Sequence, residues 1–302
     1  MNKKRVLAML LAGAMALSMT ACGGGSASSG DDSSNDGGAS ASGGSYKVSV
    51  ILKTLAAEYW QYVKSGAEDY ASEHSDKVTV EVKGPSSETA FDEMQNMIET
   101  DLSSGSYDGV IISPLQSDTA AQLVSGTKLP IVAIDTNFEA PEVKSFVGTG
   151  NEAAAKKGGE AAVEAAKAAG WTDIKCIEIA GVQGDQTNTA RMNGYKAGVE
   201  EAGGTFLSDE VQYADATADR ATTAMEAIMQ THPEGIAIIC ANNDDMAMAA
   251  ARAAQGHDAY KNTIFLGFNG DRAACEAILA GQMTMSVAQM AYEMGYKAVF
   301  VG

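Results

Sequence analysis

From Tyr46 onward the chain alternates between short apolar runs and longer stretches whose apolar residues recur every three or four positions. The runs are VSVILK (48–53), VTVEVKG (78–84), GVIIS (109–113), PIVAID (130–135), SFVGTG (145–150), IKCIEIAG (174–181), GIAIICANN (235–243) and TIFLGFNG (263–270). Runs of this length, apolar on successive residues and closed by a polar or glycine turn, predict buried parallel strands. The stretches between them predict helices. Trp60, Val63, Ala67, Tyr70 and Ala71 fall on one face, as do Phe91, Met94, Met97, Ile98 and Leu102, and Met225, Ile228 and Met229 repeat the pattern. Methionine at these positions reads as core filling.

Regular alternation of strand and helix predicts an α/β fold with right-handed crossovers. The run of strands is too long for one sheet core, so two doubly wound parallel-sheet lobes joined by a hinge are expected. The first strand set ends near Val147 and the second begins near Ile174. Ligands of such sheets bind at the carboxyl ends of strands. Those ends are polar here: Lys53-Thr54, Ser113-Pro114, Asp135-Thr136-Asn137, Gly181 to Asp185, Asn242 to Asp245, and Asn269-Gly270-Asp271.

The N-terminus follows different rules. Lys3, Lys4 and Arg5 precede an apolar run, Val6 to Met19, that is too short to span a bilayer. Small residues Thr20 and Ala21 then lead to Cys22. The order is that of a secretory signal, and MTAC resembles a bacterial lipobox, in which the cysteine thiol is acylated. Residues 1–21 are therefore expected to be a lipoprotein signal peptide. Residues 22–45, GGGSASSGDDSSNDGGASASGGS after the cysteine, have no periodicity and read as a flexible tether. A folded cargo on the extracytoplasmic side of the cell membrane, held by lipid on Cys22, is the expectation.

Charge narrows the partners. The formal net charge is −18, and losing the leader with its three cations takes it to −21. Such a surface repels nucleic acid and anionic headgroups. Besides Cys22 there are only Cys176, Cys240 and Cys275, with neither disulfide-framework nor metal spacing. Cys176 and Cys240 lie in strand-like runs, and His74, His232 and His257 are scattered and expected at the surface. No metal and no cofactor is expected.

At the polar strand ends the sequence resembles the periplasmic sugar-binding proteins of bacterial ABC importers, of the ribose-binding type. KTLAAEYWQYVKSGAED, DGVIISP, LPIVAID, GDQTNTARMNGYKAG, AIICANNDDMAMAAARA, IFLGFNG and MSVAQ match in order over Tyr46 to Gly302. The resemblance implies a type I periplasmic binding protein fold, with a first lobe of 46–147 and 290–302 and a second lobe of 148–289. It also implies a monomer that works with a permease and ATPase subunits. Carried over motif by motif, it assigns ligand contacts to Tyr59 and Trp60 as the aromatic pair, Asp135 ending the fourth strand, Arg191 in RMNGY, Asn243 before the DDMA segment, Asn269 after GF, and Gln289 closing SVAQ. The chemistry agrees: an aromatic face covers the C–H face of a sugar, while carboxylate, amide and guanidinium groups pair with its hydroxyls. A neutral monosaccharide or cyclitol is the expected ligand.

This sequence departs from the ribose-binding pattern at three positions. Ala57 replaces an asparagine before the aromatic pair, Thr136 an arginine, and Asn269 a carboxylate. Charged contacts are lost, so another pentose, a hexose, an inositol or a deoxy sugar stands beside ribose. The sequence also stops within the helix AYEMGYKAVFVG, so the first lobe is expected to be shortened or to close differently. Competing readings fare less well. GTGNEA (148–153) follows G-x-G-x-x-A but lacks the acidic strand end about 20 residues on that a dinucleotide enzyme needs. A repressor needs a DNA-binding headpiece, which is absent, and the expectation is that the chain is not an enzyme. A receptor presenting ligand to a chemosensor stays open beside import.

Overall fold

The structure, a computed structural model, describes residues 45–302. The leader, Cys22 and nearly all of the tether lie outside the described residues. The described chain forms two parallel sheets. The first has the order β2-β1-β3-β4-β5, from Tyr46–Ile51 (β1), Val78–Lys83 (β2), Gly109–Ile112 (β3), Ile131–Ile134 (β4) and Val143–Val147 (β5). The second has the order β11-β10-β9-β6-β7, from Lys175–Ala180 (β6), Thr205–Phe206 (β7), Ile238–Ala241 (β9), Ile264–Asn269 (β10) and Met285–Ala288 (β11), with Gln212–Tyr213 (β8) pairing to β6. Among the described residues every strand pair is parallel, as the apolar runs require.

Helices pack on both faces of each sheet. Glu58–Glu73 (α1), Phe91–Ser103 (α2) and Ser117–Val124 (α3) belong to the first lobe. Asn151–Ala168 (α4), Gln186–Glu201 (α5), Ala218–Thr231 (α6), Asp244–Ala253 (α7) and Arg272–Leu279 (α8) belong to the second. The last helix, Ala291–Val301 (α9), returns to the first lobe and lies on α1. Backbone contact makes this packing close: a Cβ on Gly66 would sit 1.9 Å from the Tyr292 carbonyl oxygen, and one on Gly295 1.9 Å from that of Val63. The α4–α5 pair uses the same device, since a Cβ on Gly198 would come within 2.0 Å of the Lys156 carbonyl.

Four apolar clusters hold the layers. Val50, Val63, Ala67 and Val132 pack between the first sheet and α1/α9, and Ile98, Ile112, Ile131 and Phe138 pack on its other side. In the second lobe Ile177, Ile179 and Met225 fill one face, and Cys176, Tyr195, Ile238 and Phe268 fill the other. The chain passes between sheets after β5 and again after β11. β1 lies between β2 and β3, and β6 between β7 and β9, so each sheet reverses its winding there. The strand carboxyl ends at these reversal points face one crevice. His232 is more enclosed than a surface residue, with its Nε2 2.5 Å from Glu210 Oε2 and its side chain 15% exposed.

Candidate functional site between the sheets

The crevice holds a narrow polar cavity with about 40 Å³ of open space, lined by residues of both sheets. The first sheet contributes Lys53 after β1 and Asp135 after β4. Tyr59 and Trp60 come from the first turn of α1, and Glu88 from the loop after β2. From the second come Gly181, Asp185, Asn188 and Arg191 after β6, Asn242, Asn243 and Asp245 after β9, and Asn269 closing β10.

The two aromatic rings meet edge to face, with centroids 4.9 Å apart. Both are anchored by carboxylates. The Tyr59 hydroxyl donates to Asp135 Oδ2 at 2.8 Å, and Trp60 Nε1 donates to Glu88 Oε1 at 2.9 Å. Burial raises the Tyr59 hydroxyl pKa well above its usual value, and the Asp135 charge adds to that. Tyr59 therefore stays a donor. Burial also raises the pKa of Glu88, with Lys53 and the Trp60 bond opposing.

Arg191 is buried over the Phe268 ring, its guanidinium carbon 4.0 Å from the ring centroid. Nε donates to Asn151 Oδ1 at 2.9 Å and Nη1 to the Asn242 carbonyl at 2.8 Å. Of its five N–H donors, these two have protein partners. Asp185 caps α5 by accepting the Asn188 N–H at 2.7 Å. Its other oxygen pairs with Lys53 across the crevice. Burial alone lowers the Lys53 pKa, but Asp185, Asp135 and Glu88 outweigh it and the net shift is upward. Thr136 and Thr187 form a second bridge between the sheets, hydroxyl to hydroxyl at 2.7 Å. A third is made by Glu58 Oε2, which accepts the Ala273 N–H of α8 at 3.2 Å.

Backbone strain gathers here. Asp135 (φ 62°), Ala216 (φ 59°) and Asn269 (φ 135°) are non-glycine residues in the left-handed region, and all three line the cavity. Each costs roughly 1–3 kcal/mol, and strain of this kind concentrates at ligand sites.

Six of the seven residues singled out in the sequence line this cavity: Tyr59, Trp60, Asp135, Arg191, Asn243 and Asn269. Gln289 lies instead at the second crossover, where it donates to Asn269 Oδ1 at 3.0 Å and accepts from Thr149 at 2.7 Å. Asn243 has its side chain committed to the backbone: Oδ1 accepts the Met246 N–H at 2.8 Å and Nδ2 donates to Ala216 at 3.1 Å. Its neighbour Asn242, together with Lys53, Glu88, Asp185 and Asn188, was not singled out. Lys53, Asp185 and Asn242 stand at polar strand ends, a signal that was legible. Glu88 sits in an ordinary polar loop and carries none. Among the described residues no cluster of three or more His, Cys, Asp or Glu is placed to hold a metal, and no helix is long and apolar enough to cross a membrane.

The periplasmic binding protein domain matches residues 48–302. The chain belongs to the periplasmic binding protein family. Its curated relatives include the D-allose-binding periplasmic protein of Escherichia coli K12, 30% identical over 82% of this chain and 80% of the relative. Another is the ribose import binding protein RbsB of Bacillus subtilis 168, 26% identical over 81% and 76%. Among solved structures, an ABC transporter solute-binding protein of Bacillus halodurans with bound myo-inositol superposes with a TM-score of 0.73 at 21% identity, covering 86% of this chain and 88% of that one. A carbohydrate transporter solute-binding protein of Agrobacterium radiobacter in complex with D-arabinose gives 0.76 at 22% identity, covering 85% and 87%. These likenesses fix the fold as the type I periplasmic binding protein fold. Family membership makes the chain an extracytoplasmic solute-binding protein of ABC importers rather than an enzyme.

Proposed function

We propose that this periplasmic binding protein captures one neutral monosaccharide or cyclitol between its two lobes and hands it to an ABC permease driven by ATPase subunits. The observation that carries the reading is the cavity itself. One wall is the Tyr59/Trp60 pair; the rest is lined by carboxylate, amide and guanidinium groups from both sheets. Rings cover the apolar face of a sugar and planar polar groups match its adjacent hydroxyls. The relatives bind, by name, D-allose and ribose, and the structural neighbours hold D-arabinose and myo-inositol. Closure swings the lobes about the two crossovers near 147–150 and 289, with ligand contacts from both sides favouring the closed form. In this reading the lobes are 46–147 with 290–302 and 148–289, the protein acts as a monomer, and Gln289 serves the hinge more than the cavity.

Residues 1–21 are read as the export signal, Cys22 as the acylated anchor and 22–45 as the leash. Two or more acyl chains hold firmly, since each buried methylene contributes about 0.8 kcal/mol. Cys22→Ser should release the protein from host membranes or stall its processing; a wild-type protein found unacylated in the medium would remove the anchor from the account.

Thermal denaturation against D-allose, D-ribose, D-arabinose, D-fucose and myo-inositol, with NAD and a sugar phosphate as controls, tests the function. A neutral sugar or cyclitol should raise the melting temperature, by an amount that grows with concentration. A shift with NAD or the phosphate alone would overturn the proposal.

A further inference from the structure

We propose that Glu178 is a positioning residue for the sugar site: it fixes the orientation of the Asn242 amide, so that Asn242 Oδ1 faces the cavity as an acceptor beside Arg191. The inference rests on the sugar-binding reading above.

Glu178 sits in mid-strand on β6, opposite Cys240 of β9, and is fully buried. It does not touch the cavity. Its surroundings are those of a core, with the Cys176 and Cys240 thiols and the Tyr195 ring on the same side of the sheet. The Tyr195 hydroxyl is already committed to the Ala241 and Gly267 carbonyls. Only Oε1 of Glu178 is engaged, accepting from Asn242 Nδ2 at 3.4 Å; Oε2 is buried with no partner among the described residues. A leucine or methionine would fill the same space without an unpaired polar atom. A carboxyl kept at such a place needs a use other than packing.

The use is visible one residue outward. Asn242 Nδ2 donates to Glu178 Oε1 on the strand beneath it and to the Asn188 carbonyl of α5 at 3.3 Å. With the nitrogen committed to these two acceptors, Oδ1 lies toward Gly181, where a Cβ would come 3.5 Å from it, and Gly181 and Asn242 both line the cavity. The Asn242 carbonyl in turn accepts Arg191 Nη1. One chain of contacts, Glu178 to Asn242 to Arg191 to Asn151, therefore sets the polar pattern on the second-lobe wall. Burial pushes the Glu178 pKa up to about 8, against the pull of Asn242 and Arg191. The group is then mostly neutral at pH 7, with Oε1 still an acceptor, and adds little negative charge beneath the sugar hydroxyls.

Glu178→Gln keeps an acceptor at this point; Glu178→Met keeps the volume and removes it. Two readouts decide. The first needs no sugar: hydrogen exchange of the Asn242 side-chain amide, assigned by its loss in Asn242→Asp. Exchange should be slow in wild type and Glu178→Gln and at least tenfold faster in Glu178→Met. The second is calorimetric titration with D-allose, D-ribose and myo-inositol. Glu178→Met should weaken the sugar bound by wild type at least tenfold while the ligand-free melting temperature stays level or rises; Glu178→Gln should stay within threefold. Equal amide exchange in all three proteins overturns the proposal. So does a Glu178→Met variant that binds like wild type, or one whose weaker binding comes with a lower ligand-free melting temperature. If wild type binds none of the sugars, the sugar-binding reading falls, and the exchange measurement still decides whether Glu178 orients Asn242.

Discussion

Lys53→Met offers a quantitative test of how the lobes close. Lys53 and Asp185 are 4% and 8% exposed, and they pair from opposite lobes. When the lobes part, both return to water; when they close, each depends on the other. Removing one partner from a buried pair costs roughly 3–5 kcal/mol, because the other charge is left uncompensated. In Lys53→Met that cost falls on the closed form alone. Asp185 is left in the closed crevice without its cation, and Asp135 and Glu88 lose the Lys53 charge that faces them. Since ligand binding draws on the closed population, apparent affinity falls with it. A loss of about 3 kcal/mol is roughly 150-fold in Kd. The second substitution separates latch from ligand contact. Asp185 also caps α5, so Asp185→Ser removes the charge and keeps a good capping group. In Lys53→Met/Asp185→Ser the unpaired Asp185 charge is gone, and affinity should recover to within about tenfold of wild type. Calorimetry with the sugar giving the largest thermal shift measures affinity, and small-angle scattering of the ligand-free proteins measures the closed fraction. A double variant as weak as Lys53→Met would refute this reasoning and place Lys53 on the sugar instead.

Asp135→Ala and Arg191→Ala should each weaken sugar binding by about ten- to a hundredfold, as expected for losing one charge-assisted hydrogen bond of roughly 1.5–3 kcal/mol; calorimetric affinities near wild type would take that residue out of the site. Gly66→Ala and Gly198→Ala should each lower stability by about 1–3 kcal/mol, since the new Cβ meets a backbone carbonyl at 1.9 or 2.0 Å and the helix pairs must separate. Denaturant unfolding reads this, and unchanged midpoints would show that the helices pack less closely. Stability should also fall as pH rises from ~4.5 to about 8, by up to about 1.4 kcal/mol per pH unit, because Glu178 holds its proton in the folded protein to about 8 and releases it earlier when unfolded. Glu178→Gln should flatten that slope. Asp271, pushed up to about 7 by burial with Asp244, Asp245 and Glu58 adding to it, contributes a further slope below about pH 7 that persists in the variant; a slope identical to wild type would mean that Glu178 is ionised in the fold.

Much of the architecture was legible because the sheets are buried on both faces. GVIIS and TIFLGFNG read as strands since β3 and β10 are buried at every residue. The run assigned to 145–150 lies at Val143–Val147, where burial alternates between intermediate and exposed because β5 is an edge strand. β7 and β8 are two residues each, too short for any periodicity. In the site, strand-end position pointed to Asp135 and Asn269, but it did not distinguish Asn242 from Asn243. The local signal for that was present: Asn243 precedes two acidic residues and an apolar helix, the signature of an N-cap, and capping uses its side-chain oxygen. Glu88 was invisible because only the three-dimensional approach of Trp60 Nε1 brings it to the wall. The Lys53–Asp185 bridge was invisible for the same reason, since its partners are 132 residues apart.

If a sugar sits between the lobes against the aromatic pair, the chain carries its own reporter for it. It has two tryptophans, Trp60 in the cavity wall and Trp171 in the second lobe, hydrogen-bonded to the Asn262 carbonyl. Trp171→Phe leaves Trp60 as the single emitter. Titrating that protein with the sugar that stabilises it most should shift Trp60 emission along a saturable curve whose midpoint equals the calorimetric Kd. Calorimetric binding without any change in Trp60 emission would place the sugar elsewhere and contradict the account.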